Sequence, residues 1–253
     1  MDVLTFALNV VLGVLLGTLG GLFGIGGGLI AIPVLGVLFG LDQQLAQGTA
    51  LVMVVPNVLL ALWRYHQRNR IDLRHALALA LSSFVFALYG AGWAVNLDPQ
   101  SMRVAFVIFL VALAAYNLLR LFLRPPSAAA QLRHPWPWLA VLGSGSGLLG
   151  GLFGVGGAVI ATPILTSVFG TSQVVAQGLS LALAAPSTGV TLATYALHDH
   201  VHWALAMPLA IGGLLSISWG VRMAHALPEP LLRVLFTLFL LLCALLLGLR
   251  AGS

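Results

Sequence analysis

Charge is what this sequence has least of. Asp, Glu, Lys and Arg together make up 7% of its 253 residues, and lysine is absent. A soluble domain carries about 25% charged residues, so a water-facing surface cannot be built from this composition. The six acids, Asp2, Asp42, Asp72, Asp98, Asp199 and Glu229, all fall at the ends of apolar runs. A membrane cation site or a dedicated proton relay usually places an acid within a run. Their absence there favours an anionic or neutral solute, moved by uniport or with a proton that the solute itself carries. Cysteine is reduced to Cys243, alone in an apolar run, which excludes an intrachain disulfide and a cysteine-rich metal cluster. No P-loop is present, so the chain cannot use ATP itself. The opening Met-Asp-Val lacks the basic stretch of a signal peptide, and the first apolar run is expected to be retained.

What fills the sequence instead is apolar. Hydrophobic residues make up 60%, mean hydropathy is +1.06, and runs extend from Met102 to Phe122 and from Leu231 to Leu249. A membrane helix needs roughly 20 such residues. Only helices and closed barrels satisfy the backbone in lipid, and these runs are too long for barrel strands. The fold class is therefore all-α integral membrane. A sequence pI near 10.4 suggests nucleic acid, but the 11 arginines lie mainly in short gaps between apolar runs. That is the distribution of a topology signal and not of a binding stripe. Trp63, Trp93, Trp136, Trp138 and Trp203 sit near segment ends, as an aromatic belt would.

The chain is one unit written twice. GGLFGIGGGLIAIPVL begins at Gly20 and GGLFGVGGAVIATPIL at Gly150, an offset of 130. From Gly20 to Gly48 against Gly150 to Gly178, 17 of 29 positions are identical without a gap. The same offset pairs Pro56 with Pro186, Tyr65 with Tyr195, Gly90 with Gly220, Arg103 with Arg233 and Arg120 with Arg250. Matched Gly, Pro, Gln and Arg exclude shared apolar composition as the cause. The expected parts are a first transmembrane repeat over 1–124, an inter-repeat loop over 125–135 and a second repeat over 136–253. Each repeat holds five apolar segments, at 3–19, 29–41, 43–63, 75–96 and 101–123, then at 136–149, 159–170, 173–196, 203–222 and 231–249. This makes about 8 to 10 helical segments, counting the short ones. The second of each five is only about 18 Å long at 1.5 Å per residue.

Arginine placement orients the repeats. Arg64, Arg68, Arg70 and Arg74 occupy the gap between the third and fourth segments, which is therefore expected to be cytoplasmic. With antiparallel halves Arg120, Arg124, Arg133, Arg222 and Arg233 also fall inside and only Arg103 and Arg250 outside, a score of 9 to 2; parallel halves score 8 to 3. The gap equivalent to the Arg-rich one, Leu197 to His202, has no arginine. Equivalent loops of opposite charge character are what inverted repeats require.

Gly-rich breaks ahead of paired short segments point to a transporter site. Glycine lets the chain turn and leaves N–H groups uncovered. The helix that follows presents a partly positive N-terminus to the break. Two such ends, from Gly26, Gly27 and Gly28 and from Gly156 and Gly157, would meet near the midplane and hold an anion without a buried cation. Close helix packing by small residues is the competing account. A paired, charge-free pattern ahead of short helices containing Pro33 and Pro163 favours the site. Gln47 and Gln177, matched by the repeat, begin the third segments, with Thr49 and Ser180 nearby. Asn57 and Ser187 follow matched prolines, where backbone carbonyls are freed. Amide and hydroxyl donors suit oxyanions. These six either complete a substrate site or satisfy exposed backbone.

Two copies of GGLFGxGG, each followed by a short Pro-containing helix and then AQG, resemble the TauE/SafE family of sulfite/sulfonate exporters. The resemblance covers essentially the whole chain. It implies a multi-pass carrier in a bacterial or archaeal inner (cytoplasmic) membrane. The implied activity is export or import of small sulfur-containing anions, such as sulfite, organosulfonates or thiosulfate, by alternating access. Ala158 stands where the first copy has Gly28, so the two half-sites need not be equivalent. No catalytic residue, metal or cofactor is implied. The implied partners are the anion and the lipid bilayer, and self-association into a homo-oligomer stays open.

Other signals carry less. His198, Asp199, His200 and His202 place alternate side chains together, but a zinc site needs fixed geometry and a second shell. An interfacial loop is the expected reading. Gly143-Ser144-Gly145-Ser146-Gly147 would suit a nucleotide loop only after a strand, and an intramembrane serine hydrolase only with an activating mid-helix histidine. Helix packing is expected there. A channel-like anion pore and a membrane subunit without transport activity remain rival readings.

Overall fold

The computed structural model describes residues 2–68, 73–122 and 137–251. Among them are ten helices and no strand: α1 (Val3–Phe23), α2 (Gly28–Phe39), α3 (Gln43–Arg68), α4 (Leu73–Ala94), α5 (Pro99–Phe122), α6 (Pro137–Phe153), α7 (Ala158–Ser167), α8 (Gln173–Leu197), α9 (Trp203–Ala226) and α10 (Glu229–Ala251). Six of them, α1, α3, α4, α5, α8 and α9, are long and apolar enough to cross a membrane. The inter-repeat loop, with Arg133, lies outside the described residues, as do Arg70, Asp72, Arg124 and Trp136.

Segment-end acids start helices. The Leu45 N–H donates to Asp42 Oδ1 at 2.8 Å and the Ser101 N–H to Asp98 Oδ2 at 3.0 Å, each satisfying a donor that the first helical turn leaves free. Trp63, Trp93, Trp138 and Trp203 are all exposed at helix ends. The first helix of each half runs farther than expected, to Phe23 and Phe153 instead of 19 and 149. Gly20-Gly21 and Gly150-Gly151 do not break it. Gly21 and Gly151 lie against the backbones of Ile217 and Ala87, and Gly20 and Gly150 let the chain after the break fold back onto the helix. Packing at these points offsets the low helix propensity of glycine.

Contact order along the helices fixes their directions. Gly13, Gly17 and Gly21 meet Leu209, Gly213 and Ile217 in that order, so α1 and α9 are parallel. Gly143, Gly147 and Gly151 meet Leu79, Ser83 and Ala87, so α6 and α4 are parallel too. The halves thus interlock, each first helix packing on the fourth helix of the other half. Without Cβ atoms the backbones approach closely, as small-residue helix crossings in membranes do. At one end of the bundle Thr49 bonds to the His202 backbone, and at the other the Tyr65 and His225 rings are 4.9 Å apart, so α3 and α9 are parallel. The repeat equivalents α3 and α8 are antiparallel: Tyr65, near the end of α3, bonds to Gln177 near the start of α8, and Tyr195 bonds to Gln47 in the reverse sense.

The short helices fold back. α2 begins beside Val54, in the middle of α3, and ends at Phe39, with three residues between it and the start of α3. It therefore runs toward the end of the bundle from which α1 and α3 set out. α7 does the same along α8, beginning beside Leu183. By these directions Arg64, Arg74 and Arg222 gather at one end of the bundle and Arg103 sits at the other.

Candidate functional site

Each half breaks at the same three glycines. Gly24, Gly26 and Gly27 have φ of 68°, 71° and 95°; Gly154, Gly156 and Gly157 have 68°, 71° and 75°. An L side chain in this left-handed region costs about 1–2 kcal/mol, so glycine is the residue that turns the chain here. The turn is closed by its own helix: the Ile25 N–H donates to the Gly20 carbonyl and the Val155 N–H to the Gly150 carbonyl. The Gly27 carbonyl then accepts from Ile30 and Ala31, and the Gly157 carbonyl from Ile160 and Ala161. That leaves the first two N–H groups of each short helix, Gly28 and Leu29 in α2 and Ala158 and Val159 in α7, without a carbonyl from the turn. With the aligned peptide dipoles behind them they form a partly positive patch.

The structure brings the two breaks together. A methyl group on Gly28 would lie 3.5 Å from the Gly154 carbonyl oxygen. The matched glutamines reach across the halves to the same place. Gln47 of α3 packs against Gly154, and Gln177 of α8 packs against Gly24, each so close that a Cβ on the glycine would stand about 3 Å from the glutamine side chain. Both glutamines are buried. The Tyr195 hydroxyl donates to Gln47 Oε1 at 2.7 Å and the Tyr65 hydroxyl to Gln177 Oε1 at 2.9 Å. Gln177 Nε2 makes a long bond, 3.4 Å, to the Leu22 carbonyl. Gln47 Nε2 is buried with no partner among the described residues. An orphaned buried donor costs about 1–3 kcal/mol, which an acceptor-rich ligand would relieve.

The remaining sequence candidates are placed less centrally. Asn57 Nδ2 donates to the Gly26 carbonyl at 3.3 Å and Ser187 Oγ to the Gly156 carbonyl at 3.0 Å, so this matched pair braces the two breaks. Thr49 Oγ1 accepts from the His202 N–H in the α8–α9 loop, and Ser180 Oγ accepts from Thr162 of α7. Neither is brought to the junction by these bonds. The sequence reading did not use Tyr65 and Tyr195 as site residues, although their 130-residue offset marked them as a pair. The histidine loop is spread over separate partners: His198 Nδ1 meets the Thr194 carbonyl, His202 Nδ1 accepts from Leu205 and Asp199 takes a positive φ of 59°. Ser144 bonds to its own helix at the Ala140 carbonyl, while Gly143 and Gly147 pack on α4. Apolar grooves of about 400 Å³, beside Phe86, Tyr89 and Trp93, and about 390 Å³, beside Phe109, Tyr116 and Pro163, lie elsewhere. Their apolar linings suit acyl chains and not an ion.

Comparison with known proteins agrees in extent with this architecture. The family model described as sulfite exporter TauE/SafE matches residues 9–247. A probable membrane transporter protein of Methanocaldococcus jannaschii is 31% identical over 168 residues, 64% of this chain and 62% of the relative. The match therefore spans less than two thirds of that relative's length. The probable membrane transporter protein YunE of Bacillus subtilis is 27% identical over 231 residues, 83% of this chain and 85% of the relative. A probable membrane transporter protein of Xylella fastidiosa is 29% identical over 215 residues, covering 82% and 80%.

Proposed function

Because the chain belongs to the sulfite exporter TauE/SafE family of membrane transporters, we propose that it carries small sulfur-containing oxyanions, such as sulfite, organosulfonates or thiosulfate, through the cytoplasmic membrane. The anion binds between the two glycine breaks and crosses by alternating access. The observation that carries this reading is the orphaned Gln47 amide, on a side chain packed against Gly154 where the two glycine breaks approach each other. An oxyanion offers only acceptors, and N–H groups held in place within a low-dielectric site bind it without a cation partner. The antiparallel run of α3 and α8 supports opposite orientation of the two repeats, the geometry in which rocking of one bundle against the other exposes a central site to each side in turn.

The decisive experiment is uptake of radiolabelled sulfite, thiosulfate and an organosulfonate into proteoliposomes. Saturable uptake of at least one is expected. Flux that never saturates would indicate a pore, and no flux of any of them would remove the sulfur-anion reading. In the same assay Gln47→Leu keeps the volume and removes the amide donors. Its KM is expected to rise about tenfold, the equivalent of one charge-assisted hydrogen bond, with little change in thermal midpoint. An unchanged KM would take Gln47 out of the site.

Orientation has its own test. His66, near the end of α3, and His198, just after α8, are exposed at opposite ends of the antiparallel pair. In a Cys243→Ser background, His66→Cys is expected to be shielded from an impermeant thiol reagent on intact cells, and His198→Cys labelled. Labelling of both from one side would overturn the inverted arrangement.

A further inference from the structure

A glutamine amide is ambivalent. Its NH2 end suits an anion and its carbonyl end a cation, so a glutamine becomes selective only when something fixes which end faces the ligand. We infer that Tyr65 and Tyr195 are the positioning residues that do this: each holds a glutamine of the opposite half with its carbonyl turned away, so that the amide donors face the junction and the site accepts oxyanions. The inference rests on the junction being the substrate site.

Three features of the geometry support it. Each hydroxyl donates to the Oε1 of its glutamine, at 2.7 Å for Tyr195–Gln47 and 2.9 Å for Tyr65–Gln177, so the acceptor end is occupied; Nε2 of Gln47 is then left without a partner among the described residues, and Nε2 of Gln177 keeps one proton beyond its long bond to the Leu22 carbonyl. The alternative orientation is opposed at Gln177, because turning the amide over would set its carbonyl against the Leu22 carbonyl, which now accepts from Nε2. In the other half the Leu152 carbonyl is a second acceptor for the Tyr195 hydroxyl, at 3.2 Å, and the bond to Gln47 Oε1 is the shorter of the two at 2.7 Å. Both tyrosines and both glutamines are buried to within 1% exposure. Water therefore does not compete for the hydroxyl proton, and the bond is stronger than it would be in water.

The arrangement is crossed. Gln47 and Tyr195 are 148 residues apart and Gln177 and Tyr65 are 112 apart, yet the same pair forms twice. The tyrosine ends α3 or α8, and its glutamine begins the antiparallel equivalent. Tyrosine also suits the task chemically. A phenol donates one hydrogen bond from a rigid ring with few rotamers to order, and it stays neutral. It thus orients the amide without adding a charge that would repel or trap the anion.

The test is a double-mutant cycle on the full-length protein in proteoliposomes, with sulfite and thiosulfate as probes. Tyr195→Phe keeps the ring and removes the hydroxyl. Its KM is expected to rise about fivefold to tenfold with the maximal rate held, a loss of binding and not of turnover. Tyr195→Phe/Gln47→Leu is expected to match Gln47→Leu alone, because the tyrosine acts only through that amide. Tyr195→Phe/Gln177→Leu, which touches both half-sites, is expected to be worse than either single change. The mirror cycle at Tyr65 and Gln177 should read the same way, and it carries the test if Tyr195→Phe does not reach the membrane folded. Additive effects of Tyr195→Phe and Gln47→Leu, or a lower thermal midpoint with KM unchanged, would make the tyrosines structural and overturn the inference while leaving the site reading in place. A wild-type KM in both Gln47→Leu and Gln177→Leu would instead remove the site reading, and this inference with it.

Discussion

Gly157→Val is expected to abolish transport, with flux at or below about 1% of wild type, the result of losing several kcal/mol at the site. Gly157 takes φ of 75°, and a Cβ there would lie 2.4 Å from the Ser146 carbonyl oxygen and 3.0 Å from Leu183. A β-branched residue is strained in this conformation by roughly 1–2 kcal/mol before any clash is counted. The clash is with backbone, which cannot rotate away. The turn must open, and the N–H groups of Ala158 and Val159 leave the junction. The carbonyl at 2.4 Å argues that the variant's thermal midpoint falls as well. Gly27→Val is the milder mirror, with φ of 95° and the nearest backbone oxygen, that of Leu16, at 2.9 Å. It separates function from folding: flux should fall by about a hundredfold or more while the purified protein remains folded by circular dichroism. Wild-type flux in both variants would show that these glycines only pack helices.

The second large effect concerns the crossings that hold the halves together. Gly147→Leu is expected to unfold the protein or to lower its stability by about 3 kcal/mol or more, beyond the usual range for overpacking. A Cβ at Gly147 would lie 2.4 Å from the Ser83 carbonyl oxygen and 2.6 Å from its Cα, so α4 and α6 must separate along their length. Gly145 lies on the same helix two residues earlier, and a Cβ there meets nothing within 4 Å. Gly145→Leu is therefore expected to change stability by no more than about 1 kcal/mol, and in the stabilising direction, since leucine favours the helix over glycine. Thermal unfolding in detergent, followed by loss of the monodisperse species, compares the two directly. Equal stability of the two variants would refute the close-packed crossing.

This contrast shows where sequence reasoning reaches its limit. Small-residue packing is expected across Gly143–Gly147, and Gly143 and Gly147 pack on α4 while Gly145 does not; the sequence does not distinguish Gly145 from Gly147. Which glycine faces α4 depends on the rotation of α6, and α4 itself belongs to the other half. The expected break suffered similarly. Hydropathy ends the first segment at residue 19, ahead of the glycine run, whereas the helix continues through Gly20 and Gly21 and turns at Gly24, Gly26 and Gly27. A glycine that packs and a glycine that turns are the same letter, and tertiary contact separates them.

The sequence by itself determined the membrane class, the all-helical fold, the internal repeat, the paired breaks and the candidacy of Gln47 and Gln177. Each of these follows from composition or from spacing along the chain: too few charges for a water-facing surface, apolar runs of bilayer length, and one pattern recurring at a fixed offset. The tertiary structure decided that α2 and α7 fold back, that α3 and α8 run antiparallel, and that each glutamine meets the tyrosine and the broken helix of the other half. Those features join residues 112 and 148 positions apart. No local propensity encodes such a meeting; it exists only once the two halves have packed their small-residue faces against each other.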